Sequence, residues 1–433
     1  MMFTDSSPWI LLPCFGITCL LVNVIYNIFF HPLAKLPGPF LAKLTKFWLF
    51  SEELGGDAAN TLARLHKKHG QLIRVSPNEV AINNRDVFTT INRQGTKFYK
   101  EKTFYDGFSG KHGNLFTYQD PEYHSRRKRL MSPSFSQASL ADHQVLIYEC
   151  MKPLLNEITE NIRSQQPTAI FPAFQHFSSL KTAAGVIAKL FPKMAPDAVI
   201  LLQTIGMERL IASRKATDLD QPGLFSNMQE LLDSKEQKLS DEELVAESST
   251  LFFAGTDTTA STVAIGLWHL LHKPDLYARL RAELKTIMPD KDSQPTLKEL
   301  ESLPLLSACI KEGLRITCPP RGRLPRVVPP EGLQCNGVFI PPGVMPKSWS
   351  HTCILFREAH ARASARRKIR GLQLMTISLT AVRLSIAEQR ICISQFVRRF
   401  SPAVWGKFRE VNLKEYINIV IMDDLAIKLV EAE

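Results

Sequence analysis

Residues 251 to 262 read LFFAGTDTTAST, and the interpretation of this stretch decides the fold. It sits inside a run, Ser240 to about Leu271, with the signals of one long buried helix. Ser240 with Glu243 three positions on forms a capping box, and Lys273-Pro274 supplies the stop. At 1.5 Å per residue the run is a rod of about 50 Å. A glycine in a helix interior costs roughly 1 kcal/mol against alanine, and an unpaired buried charge costs more. One explanation is a second membrane span, since residues 248–268 carry a single charge; five threonines and three serines make it a poor one. The other is a helix crossing a domain interior and opened beside a ligand. Gly255 then lets a flat ligand approach the backbone, and a threonine hydroxyl replaces a ladder hydrogen bond. Asp257 and Thr258 form a relay that delivers protons to whatever is bound at the kink.

Two shorter motifs follow. KEGLR places Glu312 and Arg315 on one helical face, a spacing common by chance and worth a few tenths of a kcal/mol when exposed. RLPRV, residues 323–327, sets two arginines at a strand start, where they suit a carboxylate or phosphate or simply a solvated edge.

The chain is 433 residues long with a formal charge of +11, which points to an acidic partner. Nucleic acid is not indicated: no zinc-finger spacing, helix-turn-helix signal or basic stripe interleaved with aromatics is present. The eight cysteines are scattered without a C-x-x-C pair and read as free thiols. From Pro8 to Phe30 the chain runs 23 residues without a charge, enough to span roughly 30 Å of hydrocarbon. Asp5 precedes this run and Lys35, Lys43 and Lys46 follow it. It reads as a retained anchor (residues 1–30) rather than a cleaved signal, with the body on the cytoplasmic side.

HPLAKLPGPF (31–40) is a stiff proline-rich hinge. Beyond it, NTLARLHKKHG (60–70) reads as helix and QLIRVSPNEVAI (71–82) as a hairpin. HSRRKRL (124–130) is intensely basic. Residues 140–235, 275–288 and 296–315 have helical periodicity, and 326–344 is strand-rich. The fold class is mainly α, α+β by the order of elements.

The order of these pieces resembles the cytochrome P-450 superfamily, the membrane-bound haem-thiolate monooxygenases, and most closely the fungal secondary-metabolism type. The elements are an apolar anchor, a Pro-Gly hinge, a basic helix ending PSFS, A-G-T-D-T-T, E-x-x-R, R-L-P-R-V and P-P-G. The resemblance covers roughly residues 8–360. It implies a P-450 catalytic domain over 41–360 and a degenerate haem-loop and helix region over 361–433. It also implies a haem b cofactor, an NADPH-dependent P-450 reductase as partner, a hydrophobic small-molecule substrate and an endoplasmic reticulum location. By the same resemblance Asp257 and Thr258 match the acid-alcohol pair that protonates iron-bound oxygen, and Gly255 the residue that lets haem approach. Glu312 and Arg315 match a buried structural ion pair. Arg326 and His124 match propionate contacts, and Lys128 stands where that motif has arginine.

The sequence also departs from the family. In the best register of F-x-x-G-x-R-x-C-x-G, over 363–375, the cysteine position is Ile369, which offers no axial ligand. Cys392 in EQRICIS is the rival, in a segment that reads as helix and as core. The intervals from PPGV to the cysteine position and from SFS to AGTDTT are each short by several tens of residues. The alternative is therefore a catalytically inactive, membrane-anchored remnant that binds no haem.

Overall fold

The computed structural model describes residues 8–93, 95–109, 112–169, 240–317, 319, 322–347, 379–403, 411, 413–415, 419–421 and 425–431. It divides into two compact units, Met1–Tyr99 with Arg323–Thr352, and Lys100–Gly322 with Cys353–Glu433. Ile369, much of the helical run expected over 140–235 and part of the region 361–433 lie outside the described residues.

In the first unit α1 (Pro8–Ile25) runs into a π-helical turn, Tyr26–Phe30. The segment Pro13–Phe30 is long and apolar enough to cross a membrane. Then come α2 (Phe40–Leu44), α3 (Phe47–Gly55) and α4 (Ala58–His69). The expected hairpin is present: β1 (Leu72–Ser76) pairs antiparallel with β2 (Glu79–Ile82), Leu72 opposite Ile82. α5 (Arg85–Asn92) starts where the Asn84 side chain accepts from the Asp86 and Val87 amides at 3.0 and 3.1 Å. β3 (Leu333–Cys335) and β4 (Val338–Ile340) form a second hairpin, and β5 (Met345–Lys347) adds parallel to β2. The β3–β4 turn is Asn336-Gly337, with φ of 51° and 76°, the backbone that a right-twisted two-residue hairpin requires.

Arg74 on β1 is fully buried. Its guanidinium donates to the Asn27 carbonyl at 2.7 Å and to the Pro77 carbonyl at 2.7 and 3.1 Å, so the charge is met by backbone dipoles. Gly38 passes so close that a Cβ there would lie 2.2 Å from the Arg74 carbonyl oxygen.

The second unit holds α6 (Pro121–Met131), α7 (Gln144–Arg163), α8 (Asp241–Leu271), α9 (Pro274–Lys285), α10 (Leu297–Ser302), α11 (Pro304–Thr317) and α12 (Leu379–Arg399). A short strand, β6 (Phe400–Pro402), pairs antiparallel with β7 (Leu429–Glu431). The core forms where α8 packs against α11 and α12, with Leu267, Leu271, Leu306, Ile391 and Phe396 buried. The α8–α11 crossing is close because Gly313 faces Gly266: a Cβ at 313 would sit 3.8 Å from the Gly266 Cα. The Ser240–Glu243 capping box is formed as expected.

One expectation changes. The single helix expected over 296–315 is two, α10 and α11, because Pro304 has no amide hydrogen and forces Leu303 out of helical dihedrals. The local opening expected in α8 does not interrupt it: the helix runs unbroken through Gly255 and Asp257. The Thr258 hydroxyl donates to the Ala254 carbonyl at 2.7 Å, back along the helix rather than across a gap.

Candidate active site

The hydroxyls of the opening stretch divide into two sets. Thr262 Oγ1 lies 2.7 Å from the Thr258 carbonyl and 3.1 Å from Thr317 Oγ1 on α11. Thr317 in turn donates to the Gly313 carbonyl at 2.9 Å. Thr259 Oγ1 lies 2.8 Å from Ser385 Oγ on α12, and Gln389 donates to the same Ser385 oxygen at 3.0 Å. These hydroxyls tie α8 to its two neighbours. Thr259, Thr262 and Ser261 are buried. They were not singled out in the sequence, where all five threonines look alike.

Glu388 completes the α12 side. Burial pushes its carboxyl up to about 7, and a hydrogen bond with Thr259 pulls the other way. It too escaped the sequence reading; the signal was its place four residues before Cys392 on the same helix.

The second set is Gly255, Asp257 and Thr258, each half-buried. Among the described residues a Cβ at Gly255 would meet nothing within 4 Å, so this face of the helix leaves its backbone open to an approaching group. Thr258 has its proton directed at Ala254, which leaves its oxygen lone pairs to accept another.

On α6, His124 and Lys128 are one turn apart and half-buried. The inward residue of this basic helix is Arg127, which sequence reasoning passed over. Its guanidinium pairs with Glu243 at 2.7 Å and Glu247 at 3.4 Å, and donates to Tyr118 and Tyr123 at 3.1 and 3.2 Å. Burial pushes Glu247 up to about 7, opposed by the Leu115 amide and by Arg127. Among four consecutive basic residues the sequence gives no sign of which turns in; Glu243 and Glu247, one turn apart on α8, were the available cue.

Glu312 and Arg315 form the expected pair, Arg315 Nε donating to Glu312 at 2.7 Å and Nη2 to the second oxygen. The bond to Arg315 holds Glu312 below the ordinary carboxylate range. The expectation of a buried pair is met only by half: the Arg315 side chain is 17% exposed and that of Glu312 56%. Arg315 Nη1 is buried with no partner among the described residues.

The two arginines of RLPRV separate. Arg323 is engaged with Glu53 and, at 3.6 Å, Glu79. Arg326 is half-buried, and its Nε is buried without a partner among the described residues. Cys392 lies mid-way along α12 in the core, its Sγ 3.1 Å from Met151 Sδ, and burial raises its thiol pKa. These are the surroundings of a packed core cysteine, not of an open coordination position.

The cytochrome P450 family profile matches residues 200–350. The chain is 29% identical over 401 residues to the cytochrome P450 monooxygenase pbrB of Penicillium brasilianum, covering 79% of this chain and 78% of that one. Both comparisons support the cytochrome P450 superfamily for this chain. Similar P450 relatives are the monooxygenase BOT1 of Botryotinia fuckeliana (28% over 376 residues, 74% and 73% covered) and astB of Aspergillus terreus (28% over 403 residues, 79% and 78%). A match of 401 positions that takes in only 79% of a 433-residue chain includes positions this P450 lacks, as the shortened intervals imply.

A P450 haem asks three things of its protein: a backbone face that it can approach, donors for its carboxylates and an axial ligand. In the second unit the open face at Gly255 fits the first; in the first unit, taken by itself, Arg326 Nε is buried without a partner among the described residues, as a carboxylate donor awaiting its acceptor would be. The third falls at Ile369, outside the described residues.

Proposed function

We propose that this P450 descends from, and on its distal side retains, a haem-dependent monooxygenase that inserts one atom of O2 into a hydrophobic small molecule of fungal secondary metabolism. Electrons would come from NADPH through a separate reductase. Haem, when bound, supplies the iron at which oxygen is activated. The chain's own contributions are the open helix face at Gly255 and a proton route. Thr258, whose own proton is held by the Ala254 carbonyl, offers its oxygen lone pairs to a donor on the open face, beside the acid of Asp257. His124, Lys128 and Arg326 are the cations offered to carboxylates. The body faces the cytoplasm from the endoplasmic reticulum, held by residues 1–30. The observation that carries this reading is the unfilled space over Gly255 beside an acid and a hydroxyl on an unbroken helix.

A second reading, an inactive remnant that binds no haem, is favoured by Ile369 at the cysteine position and by Arg315 Nη1, which has no partner among the described residues. The reduced carbon monoxide difference spectrum of the full chain expressed with haem supply separates the two. A thiolate-type Soret band supports the monooxygenase. Haem lost on gel filtration, regained in an Ile369→Cys variant, establishes the remnant.

A further inference from the structure

Glu247 on α8 is a fully buried carboxylate that takes no part in the site proposed above. It faces the turn 113–118, which is built as a unit. The Asn114 side chain accepts from the Phe116 and Thr117 amides, each at 3.0 Å, and Thr117 Oγ1 accepts from the Asn114 amide at 2.9 Å. A Cβ at Gly113 would lie 2.7 Å from the Tyr118 ring, so the two ends of the turn touch.

Charged side chains hold this unit to the helices. Glu247 accepts from the Leu115 amide at 3.0 Å, and Lys100 donates to the Leu115 and Phe116 carbonyls at 3.0 and 2.8 Å. Arg127 of α6 spans the seam: its Nε lies 3.4 Å from Glu247, and its Nη2 donates to Glu243 at 2.7 Å and to the Tyr118 hydroxyl at 3.1 Å. Leu115 is the apolar anchor, buried with Met131, Leu244 and Val245. The charged groups acting on Glu247 are thus Arg127 from α6, Lys100 from the strand side and Glu243 one turn back on α8. The pairing is incomplete, because Glu247 Oε1 and Arg127 Nη1 are buried without a hydrogen-bond partner among the described residues.

An ionised carboxylate with an incomplete set of donors is unfavourable when buried, and a turn tied by a few bonds can lift and let water in. We propose that the turn 113–118 is a proton-operated latch on α8: Glu247 holds a proton while the turn is docked and releases it to water when the turn lifts. Burial pushes the docked Glu247 up to about 7, opposed by the Leu115 amide and by Arg127, against an ordinary 4.5 in water. The docked turn therefore binds the proton more tightly than the lifted one. Docking is most favourable below about pH 4.5 and weakens about tenfold per pH unit until the pH passes 7. Leu251, one turn before Gly255, packs into the same cluster as Leu115, so the latch closes on the stretch of α8 that leads to the open face. It needs no haem, and its failure would leave the function proposed above untouched.

The test is hydrogen–deuterium exchange of the full chain in detergent micelles at pH 6 and pH 8, each rate divided by the intrinsic rate at that pH. Opening of the 113–118 peptide is expected to increase about tenfold from pH 6 to pH 8. Glu247→Gln keeps an acceptor for the Leu115 amide and has no proton to release, so in that variant the increase should vanish. The buried α11 residues Leu306 and Ile310 report opening of the whole fold and should exchange far more slowly than the turn at both pH values, in parent and variant alike. Equal opening of the parent's turn at pH 6 and pH 8 overturns the latch. An increase that survives in Glu247→Gln overturns Glu247 as its operator. A turn that exchanges no faster than α11 lifts only when the whole fold opens, and that too overturns the latch.

Discussion

Asp257 and Thr258 are adjacent on α8, yet they are separable by experiment because they offer different chemistry, an acid and a hydroxyl whose proton is engaged with the Ala254 carbonyl. Thr258→Ala removes the acceptor oxygen and Asp257→Asn the acid. Each is expected to lower product formation in the haem-loaded protein by about 10²-fold, with substrate affinity unchanged. Product yield per NADPH consumed, beside a substrate-binding titration, checks this. Gly255→Ala discriminates more sharply. With nothing near the added methyl, the haem-free chain should gain up to about 1 kcal/mol in thermal unfolding. If a flat ligand takes that space, the haem content recovered on purification should fall in the same variant. A variant that is more stable and equally haem-loaded would remove Gly255 from the site.

The helices α8, α11 and α12 are joined by polar atoms inside a hydrophobic core, and that has a measurable cost. Thr262→Val removes the hydroxyl contact between α8 and α11 while the Thr317 hydroxyl keeps its bond to the Gly313 carbonyl, and should destabilise by about 1 kcal/mol, seen as a lower denaturant midpoint. Glu388 makes stability depend on pH. Its folded-state pKa is raised to about 7 from an ordinary 4.5, so the folded chain holds the proton more tightly than the unfolded one. Its contribution is therefore most favourable below about pH 4.5 and is lost as pH rises through 7. Glu388→Gln keeps a partner for Thr259 and removes the charge, so above pH 7 the variant should be more stable than its parent by about 1–2 kcal/mol. Parallel melting curves across that range would refute the assignment. At this scale the sequence was informative about where helices begin and end. Ser240 and Glu243 announced α8, and Pro274 opened α9. It could not tell Thr259 and Thr262, which brace neighbouring helices, from Thr258, because a hydroxyl's role is set by which helix face is covered. Pro304 was legible and was overlooked, hence two helices where one was expected.

For the whole molecule, the charge of +11 predicts that electron delivery from an acidic reductase slows as salt rises. Stopped-flow reduction at increasing ionic strength, in a haem-loaded preparation, measures it. A salt-independent rate would assign the charge elsewhere. The order of motifs was enough for the family, while the turning-in of Arg127 and the part-exposure of Glu312 depend on tertiary packing that no local pattern encodes. The connector between α1 and β1 was legible as stiff from its prolines, but its attachment was not. With the backbone of residue 38 pressed against Arg74 and that arginine gripping residue 27, the segment behaves as a splint rather than a tether. A chimaera that borrows another protein's leader will keep the angle between that helix and β1 only if the joint is transplanted whole, asparagine, glycine and arginine together.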